Sequence, residues 1–405
     1  MRKLICVSAL AASACLILAA CGSSTPTGTS ANSGASSTPK LTGAPIRLGM
    51  INTETGPGAE PWYEPAFEVS VSAINASGGI DGHPVIGNFC DDQFSPQQAA
   101  VCAQKLLVQD KDVMLIANDG QTDAGVLPSL KTAKTIIWGG EAASSEDLMD
   151  PALVKAFYPS YAEYAILPQI VGSGHNVAVF SSNNAPALIA AKSTVASFKA
   201  AGNKASVIQV PIGSTSFGTP CEQAKAANAN TAIVLFGAAD IPPMMQACAQ
   251  LGVKLTWVIG GTTITAQVAQ TASQLGIKTI VATGFTQKAH DQFTAAVTKY
   301  GPSVPSALDD SGVSVWVAMQ LLGPALNASG AIDKSTAAID VAKLSSWLDT
   351  QTAFSTDGYT KPLNMSPSYQ PMGADYSSIK NTCVYEALVK GQSLSLVSST
   401  PICLK

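Results

Sequence analysis

Short apolar segments alternate with helical segments along most of this chain, and this alternation limits the fold more than any other feature. Four apolar segments come before residue 150, and the rhythm restarts at Asn176 with five more. Strands that alternate with helices form parallel sheets covered on both faces. The chain is therefore predicted to be an α/β protein with two doubly wound parallel-sheet lobes.

The limits of several elements can be read from their sequence. The predicted strands are 46–51, 84–89, 113–117, 135–138, 177–180, 206–210, 232–236, 256–259 and 279–282. Ser95 followed by Pro96 is typical of a helix start, and Gly78-Gly79 is typical of a helix end. The region 290–348 is predicted to be mostly helical, and the tail beyond it is mixed.

Length and composition agree with two lobes. The chain has 405 residues, which exceeds what one hydrophobic core usually organises, and 46% of them are apolar. The formal net charge of −4 argues against a nucleic-acid partner, which would need a basic face. With three His in the whole chain, the sequence offers little material for a His-built metal site.

The first 20 residues have the features of an export signal. Two basic residues precede an apolar run, 4–18, that is too short for a transmembrane span. The end of the run, Ala19-Ala20-Cys21, resembles the lipobox of bacterial lipoproteins, which implies cleavage before Cys21 and a lipid on that residue. An ordinary small-residue cleavage site is the alternative. Residues 21–44 are small and polar, and they predict a flexible tether to the outer face of the cell membrane.

Cysteine usage also suits a compartment outside the cytoplasm. The six cysteines beyond the tether form an even set, and export permits disulfides. Partners close in sequence fall on neighbouring predicted elements, although buried free thiols are an alternative. The favoured pairs are Cys90–Cys102, Cys221–Cys248 and Cys383–Cys403.

The sequence contains none of the common catalytic or nucleotide-binding motifs. It has no Gly-x-Ser-x-Gly elbow and no phosphate loop of the Gly-Lys-Ser/Thr kind. His83, His175 and His290 are scattered in turns or before a helix, where surface and capping histidines are common. The chain is therefore predicted not to be an enzyme, and no cofactor or metal is expected.

Several runs resemble one family. The segment from Ile74 to Val85, with the sequence Ile-Asn-Ala-Ser-Gly-Gly-Ile-Asp-Gly-His-Pro-Val, is similar to a stretch of the branched-chain amino acid (leucine) binding proteins. These are type I periplasmic binding proteins, the receptors of ABC importers. The segments 90–93, 96–100 and 112–116 also resemble that family. The similarity is strong over 46–150, weaker to about 330 and slight beyond 350.

The resemblance implies a specific architecture. Two lobes would be joined by three crossovers and would close on a ligand by hinge motion. The first lobe would comprise 45–160 with 284–352, and the second 161–283 with 353–405. Ligands in open α/β sheets bind beyond the carboxyl ends of the strands, so the loops at those ends are the candidate site.

The loops after the third and fourth strands hold the ligand carboxylate in this family, through backbone N–H groups and hydroxyls. By resemblance, this role falls to Gln121, Thr122, Ala142, Ala143 and Ser144. Such a cradle suits a carboxylate or an amide. Loop and helix capping is the alternative role for Thr122 and Ser144.

Further candidates follow other strands. They are Trp62, Tyr63, Asn184, Phe236, Asp240, Thr262 and Thr263. Amino-acid binders of the family place an acid near Gly260-Gly261 to hold the ligand ammonium, and Thr262-Thr263 stands there instead. Asp119 or Asp240 could supply the charge, although an Asp just before Pro242 also suits a helix N-cap. Trp62 and Tyr63 suit either stacking on a ligand or packing at the lobe edge.

These features together predict an extracytoplasmic solute-binding lipoprotein that delivers an amino acid, an amide or a small organic acid to an ABC permease. Few charged residues are expected in the cleft. A small uncharged or singly anionic ligand is therefore favoured, with branched-chain amino acids as the rival. A sensor of the same fold that feeds a signalling partner is the alternative function. A monomer without a nucleic-acid partner is expected.

Overall fold

The computed structural model describes residues 41–56, 59–301, 308–391 and 393–404. The predicted signal peptide, the lipid-attachment site Cys21 and the tether up to residue 40 lie outside these ranges. Within them, no helix is both long enough and apolar enough to cross a membrane.

The first lobe is built on a five-stranded parallel sheet. Its strands are β1 (Ile46–Asn52), β2 (Val85–Asp91), β3 (Leu115–Ile116), β4 (Ile137–Trp138) and β5 (Val154–Lys155). Their order is β2-β1-β3-β4-β5, and every neighbouring pair is parallel. Strand β2 therefore lies on one side of β1 and strands β3 to β5 lie on the other, which places a topological switch point between β1 and β3.

The second lobe is built on an eight-stranded sheet. Its strands are β6 (Asn176–Ser182), β7 (Lys204–Val210), β8 (Thr231–Leu235), β9 (Thr256–Gly260), β10 (Thr279–Thr283), β11 (Cys383–Lys390), β12 (Ser393–Leu396) and β13 (Ile402–Cys403). The parallel part has the order β7-β6-β8-β9-β10, which repeats the winding of the first sheet. The C-terminal strand β11 joins the edge, antiparallel to β10. The predicted α/β fold with two doubly wound lobes is confirmed.

Twelve helices are present in the described part of the chain. They are α1 (Tyr63–Ala76), α2 (Pro96–Gln104), α3 (Leu127–Ala133), α4 (Ser145–Leu148), α5 (Tyr161–Val171), α6 (Ala185–Ala200), α7 (Gly218–Ala226), α8 (Ile241–Gln250), α9 (Ala266–Leu275), α10 (Gln287–Tyr300), α11 (Asp310–Ser329) and α12 (Val341–Leu348). Ser95 caps α2 by accepting the Gln98 N–H, as its sequence predicts. After α1, Gly79 turns the chain at a φ of 70°, and its N–H donates to the Ile74 carbonyl.

The chain passes between the two sheets three times. It leaves the first sheet after β5 and enters α5, which packs on α6 and β11. It returns after β10 to α10 and α11, which pack on α1. It passes again between α12 and β11. Aromatic packing of Trp138 with Phe157 and Phe354 ties the first and third passages to the first lobe. The exact lobe boundaries stay a prediction.

Three disulfides join elements that are adjacent in the fold. Cys90–Cys102 ties β2 to α2, Cys221–Cys248 ties α7 to α8, and Cys383–Cys403 joins opposite residues of the β11–β13 pair. These are the three pairs that the sequence favours. Each closes a local loop within one lobe.

Several elements differ from the sequence prediction. The fourth predicted strand, 135–138, is reduced to Ile137–Trp138, and β5 (Val154–Lys155) was not predicted. The third predicted strand, 113–117, is reduced to Leu115–Ile116, since Ala117 takes a left-handed conformation with a φ of 49° that ends the strand. The mixed tail contains the antiparallel strands β11, β12 and β13, which were not predicted. Their sequence does not reveal that β11 pairs with the edge strand β10, or that β12 and β13 pair with β11.

Candidate functional site

A cavity of about 250 Å³ lies between the carboxyl ends of the two parallel sheets. The loops after β1 to β4 line it from the first lobe, and the loops after β6 to β9 line it from the second. The first-lobe lining is Gly56, Ala59, Glu60, Phe94, Asp119, Gln121, Glu141 and Ala143. The remaining lining is Tyr161, Tyr164, Ser182, Asn184, Ala187, Ala190, Val210, Pro211, Ile212, Leu235, Phe236, Gly237, Ala239, Asp240, Thr262 and Thr263.

Three carboxyl groups of the first lobe face this cavity. Glu60, Asp119 and Glu141 follow β1, β3 and β4, so the parallel winding brings them to one edge of the sheet. Backbone hydrogen bonds hold each of them near its strand end. The bonds run from Glu60 N to Thr53 O (2.8 Å), from Asp119 N to Asn52 Oδ1 (2.7 Å) and from Glu141 N to Asn118 O (3.0 Å).

Burial and mutual repulsion raise the pKa values of these three acids. Burial raises the pKa of Glu60 well above its usual range, and the charges of Asp119 and Glu141 add to the rise. Burial, followed by the charge of Asp92, does the same to the pKa of Asp119. Burial and the charge of Asp310 raise the pKa of Glu141 to about 8. Burial therefore favours the protonated forms of these carboxyls, and a bound cation would favour their ionised forms.

Asp119 has an unused oxygen in this setting. Its side chain is 3% exposed, and its Oδ1 accepts the Gln121 N–H at 2.9 Å. Its Oδ2 has no hydrogen-bond partner among the described residues. A buried carboxylate oxygen without a partner is costly, and Asp119 lines the cavity. Asp119 is therefore a lining residue with one acceptor that the described chain leaves unused.

The donors of the predicted carboxylate cradle already have acceptors within the chain. The bonds run from Gln121 N to Asp119 Oδ1 (2.9 Å), from Ala142 N to Ser160 Oγ (3.2 Å), from Ala143 N to Asp147 Oδ2 (3.1 Å), from Ser144 N to Gly120 O (3.1 Å) and from Thr122 Oγ1 to Asp92 Oδ2 (2.5 Å). Ser144 Oγ also caps α4 by accepting the Asp147 N–H. In this structure these donors are used by three carboxyl groups, one carbonyl and one hydroxyl of the protein itself.

Two tyrosines of α5 extend the polar side. Tyr161 is buried, and its hydroxyl donates to the Ala143 carbonyl at 2.9 Å. Burial, together with the charges of Glu141 and Asp147, raises the pKa of the Tyr161 hydroxyl, so this hydroxyl keeps its proton. Tyr164 is partly exposed and lines the cavity one helical turn further on.

Phe94 brings an aromatic ring from the loop after β2. Gln93 and Phe94 both have positive φ angles, 54° and 61°, which is unusual for large side chains. The carboxylates of Asp91 and Asp92 accept the N–H groups of these two residues, each at 2.9 Å. The Cys90–Cys102 disulfide ties the same segment to α2. The strained turn is therefore fixed on both sides, with Phe94 at the cavity.

The second lobe offers a mostly apolar wall. Val210 ends β7, and Leu235 and Phe236 lie at the end of β8; all three are at most 7% exposed. Asn184 also lines the cavity, but its Oδ1 caps α6 by accepting the Ala187 N–H. Thr262 and Thr263 add hydroxyls, and that of Thr263 donates to Gly260 O.

Asp240 is the acidic residue of the second lobe that lines the cavity. Its sequence position before Pro242 suits an N-cap, but its side chain makes no capping hydrogen bond to α8. Burial raises the pKa of this partly exposed carboxyl. Asp240 thus stands at the N-cap position of α8, as its sequence predicts, but its carboxyl does not cap the helix.

Five of the twelve predicted site residues do not line the cavity. Trp62 and Tyr63 are 7% and 3% exposed and pack in the first-lobe core, which supports the packing interpretation for both. Thr122, Ala142 and Ser144 lie behind the lining. The other seven do line it. They are Gln121, Ala143, Asn184, Phe236, Asp240, Thr262 and Thr263.

The cavity lining contains more charged residues than the sequence predicted. Few charged residues were expected, yet four carboxyl groups line the cavity, and its described lining contains no Lys, Arg or His. Glu60, Tyr161 and Tyr164 were missed because they lie in a long loop and in a crossover helix that the strand pattern does not mark. Glu141 directly follows the fourth strand, so its position alone could have identified it.

A two-lobed protein with a cavity at the carboxyl ends of both sheets has the architecture of a hinged binding protein. Comparison with known proteins agrees. The periplasmic binding protein family matches residues 45–375 of this chain. The chain therefore belongs to that family, and the resemblance seen in its sequence is confirmed. It is a binding protein rather than an enzyme, and its family places it outside the cytoplasm.

Solved structures share the fold at low identity. The leucine-binding protein LivK of Thermotoga maritima is 15% identical with a TM-score of 0.69, over 87% of this chain and 98% of that chain. An ABC-transporter solute-binding protein of R. palustris in complex with 4-hydroxybenzoate is 18% identical with a TM-score of 0.69, over 87% and 95%. A fatty acid ABC transporter substrate-binding protein of Thermomonospora curvata is 14% identical with a TM-score of 0.69, over 89% and 93%. A comparison with curated proteins finds no match.

Proposed function

We propose that this protein is the lipid-anchored receptor of an ABC importer, which captures a small organic ligand between its lobes and delivers it to a permease. The cavity at the carboxyl ends of both sheets carries the proposal. Eight strand-end loops from two lobes converge on it, so a ligand there would contact both lobes at once. Binding would then favour the closed arrangement over the open one.

The size of the cavity supports a small ligand. About 250 Å³ is below the usual range of pockets for drug-sized molecules. The solute-binding proteins of similar fold take ligands such as isoleucine and 4-hydroxybenzoate, as their structures record. A ligand of that size, held by two lobes, suits capture and release at a membrane transporter.

The anchor is proposed from the sequence around Cys21. Replacing Cys21 with Ser is expected to leave the protein unprocessed or to release it from the membrane fraction. The same variant should fail to restore ligand uptake in a strain that lacks the protein, whereas the wild-type chain restores it. Normal processing and membrane retention of the Cys21→Ser protein would contradict the anchor.

Capture is tested on protein purified without denaturation. Native mass spectrometry is expected to show one small organic molecule per chain, and small-angle scattering should give a smaller radius of gyration with this ligand than without it. A protein that carries no ligand, binds none from a broad panel of metabolites and never changes its radius would contradict the proposed function.

A further inference from the structure

We propose that the ligand is a small organic cation, in which a protonated amine is attached to an apolar body without a carboxylate. This inference rests on the proposed function, since it takes the cavity between the lobes as the ligand site. It goes further by naming the charge of the ligand and the group that the ligand lacks.

The charge of the lining is the first observation. Glu60, Asp119 and Glu141 approach from the first lobe, and Asp240 approaches from the second. The part of the lining that the structure describes contains no basic side chain to balance them. Burial without a basic partner disfavours the ionised forms of these acids, so a cation is the partner that would complement them.

An unused acceptor is the second, independent observation. Asp119 is 3% exposed, and its Oδ2 has no hydrogen-bond partner within the described ranges. Its other oxygen is held by the Gln121 N–H, which fixes the orientation of the carboxyl group. An ammonium group offers three donors and no acceptor, and it therefore matches a carboxylate whose second oxygen is free.

The places for a ligand carboxylate are already occupied. The Gln121 N–H donates to Asp119 Oδ1, and the Ala143 N–H donates to Asp147 Oδ2. Two side-chain carboxylates of the protein thus take amide donors of the predicted cradle. A ligand carboxylate would have to displace them. The geometry therefore disfavours both amino acids and organic acids.

A metal ion does not suit this cluster. In the described ranges, no group of three or more His, Cys, Asp or Glu side chains is arranged to hold one. The cavity also has an apolar wall that a bare ion would leave unfilled. Val210, Leu235 and Phe236 supply that wall from the second lobe, opposite the first-lobe acids. An organic cation uses both walls, since its ammonium faces the acids and its hydrocarbon part faces the second lobe.

Calorimetry with three probes of one carbon skeleton tests the charge directly. The probes are 3-methylbutylamine, leucine and 4-methylpentanoate, measured at pH 8 on the protein stripped of any co-purified molecule. Phenethylamine, phenylalanine and 3-phenylpropionate repeat the test with a larger body. In at least one set, the amine is expected to bind about tenfold or more tightly than its amino acid and its acid.

Matched variants assign the effect to the cavity. Glu141→Gln is expected to weaken amine binding by about tenfold or more, since it removes a charged acceptor. Glu146→Gln removes an exposed carboxyl five residues away that does not line the cavity, and it should change the affinity by less than about twofold. Circular dichroism and melting curves of both variants show whether they are folded. A folded Glu141→Gln protein with unchanged amine affinity would contradict the inference.

The probes also separate the two proposals. If an amino acid or an acid binds and no amine does, the protein is still a solute-binding protein, but the cation inference is overturned. If no probe of any charge binds and the protein carries no small molecule when purified, both the inference and the proposed function are contradicted. A native ligand identified by mass spectrometry as a carboxylic acid would also overturn the inference.

Discussion

The two lobes wind their parallel strands in the same order but present different chemistry to the cavity. The order β2-β1-β3-β4-β5 of the first sheet is repeated as β7-β6-β8-β9-β10 in the second. In the first lobe, the loops after β1, β3 and β4 carry Glu60, Asp119 and Glu141. In the second, the equivalent edge carries mainly apolar side chains, with Asp240 as its acid.

This difference shows which property comes from the winding and which from the residues. A doubly wound sheet fixes where its loops converge, and the residues in the loops decide what they bind. Here one lobe supplies charge and the other supplies apolar area. A ligand held between them is therefore oriented, with its polar end toward the first lobe.

The largest expected effect is the loss of stability when a disulfide is removed from either lobe. Replacing both cysteines of Cys221–Cys248 with Ser should lower the free energy of unfolding by about 3.5 kcal/mol, and replacing Cys90 and Cys102 should lower it by about 3 kcal/mol, because the loops span 27 and 12 residues. Denaturant titration measures both values.

The same variants should differ in ligand affinity. Cys90–Cys102 fixes the strained segment that carries Phe94, so its loss is expected to weaken binding. Cys221–Cys248 joins α7 and α8 and does not line the cavity, so the folded protein without it should bind normally. Equal losses of affinity would contradict this difference between the lobes.

A smaller effect compares the acids of the two lobes. Asp119→Asn should weaken amine binding about thirtyfold, because it removes a charged partner at a buried position. Asp240→Asn should weaken it only about threefold, because this partly exposed carboxyl is screened by solvent. Calorimetry on both variants measures the ratio. An equal or reversed effect would show that the charge is not concentrated in the first lobe.

The apolar wall of the second lobe should discriminate by ligand size. Phe236→Ala is expected to weaken phenethylamine binding about tenfold, and 3-methylbutylamine binding less, because the larger body buries more area against the ring. Leu275→Ala, an exposed position at the end of α9, serves as the control. If both amines lose affinity equally, Phe236 does not contact the ligand body.

The sequence predicts the regular part of the fold well. Strands β6, β8, β9 and β10 contain near-continuous apolar segments, and such segments are typical of buried parallel strands. The short strands β3 and β4 were predicted too long, and the antiparallel tail strands were not predicted. These elements depend on neighbours that are distant in sequence, so their own residues do not reveal them.

The candidate site was predicted in its location but not in its chemistry. Ligands of open α/β sheets bind at the loops beyond the carboxyl ends of the strands, and this rule identifies the segments 118–122 and 141–144. It does not show that the amide donors there are used by Asp119 and Asp147, because those hydrogen bonds exist only in the folded loops. Nor does it bring in Tyr161, which reaches the cavity from a crossover helix.

The charge of the ligand determines whether its affinity rises or falls with pH. Burial raises the pKa of Glu141 to about 8, and it raises the pKa values of Glu60 and Asp119 well above their usual range. Burial therefore favours the protonated forms of these acids, and a bound cation favours their ionised forms. An amine, whose own pKa is about 10, stays charged up to about pH 8. Its binding must therefore release protons, and its affinity rises as the pH rises toward 8.

Calorimetric titration of an amine from pH 6 to pH 8, in two buffers of different ionisation enthalpy, tests the central claim most directly. The account predicts proton release on binding and an affinity that increases by up to about tenfold per pH unit for each proton released. The Glu141→Gln protein should release fewer protons. Proton uptake on binding, or an affinity that falls as the pH rises, would contradict the claim that the acidic first lobe holds a cationic ligand.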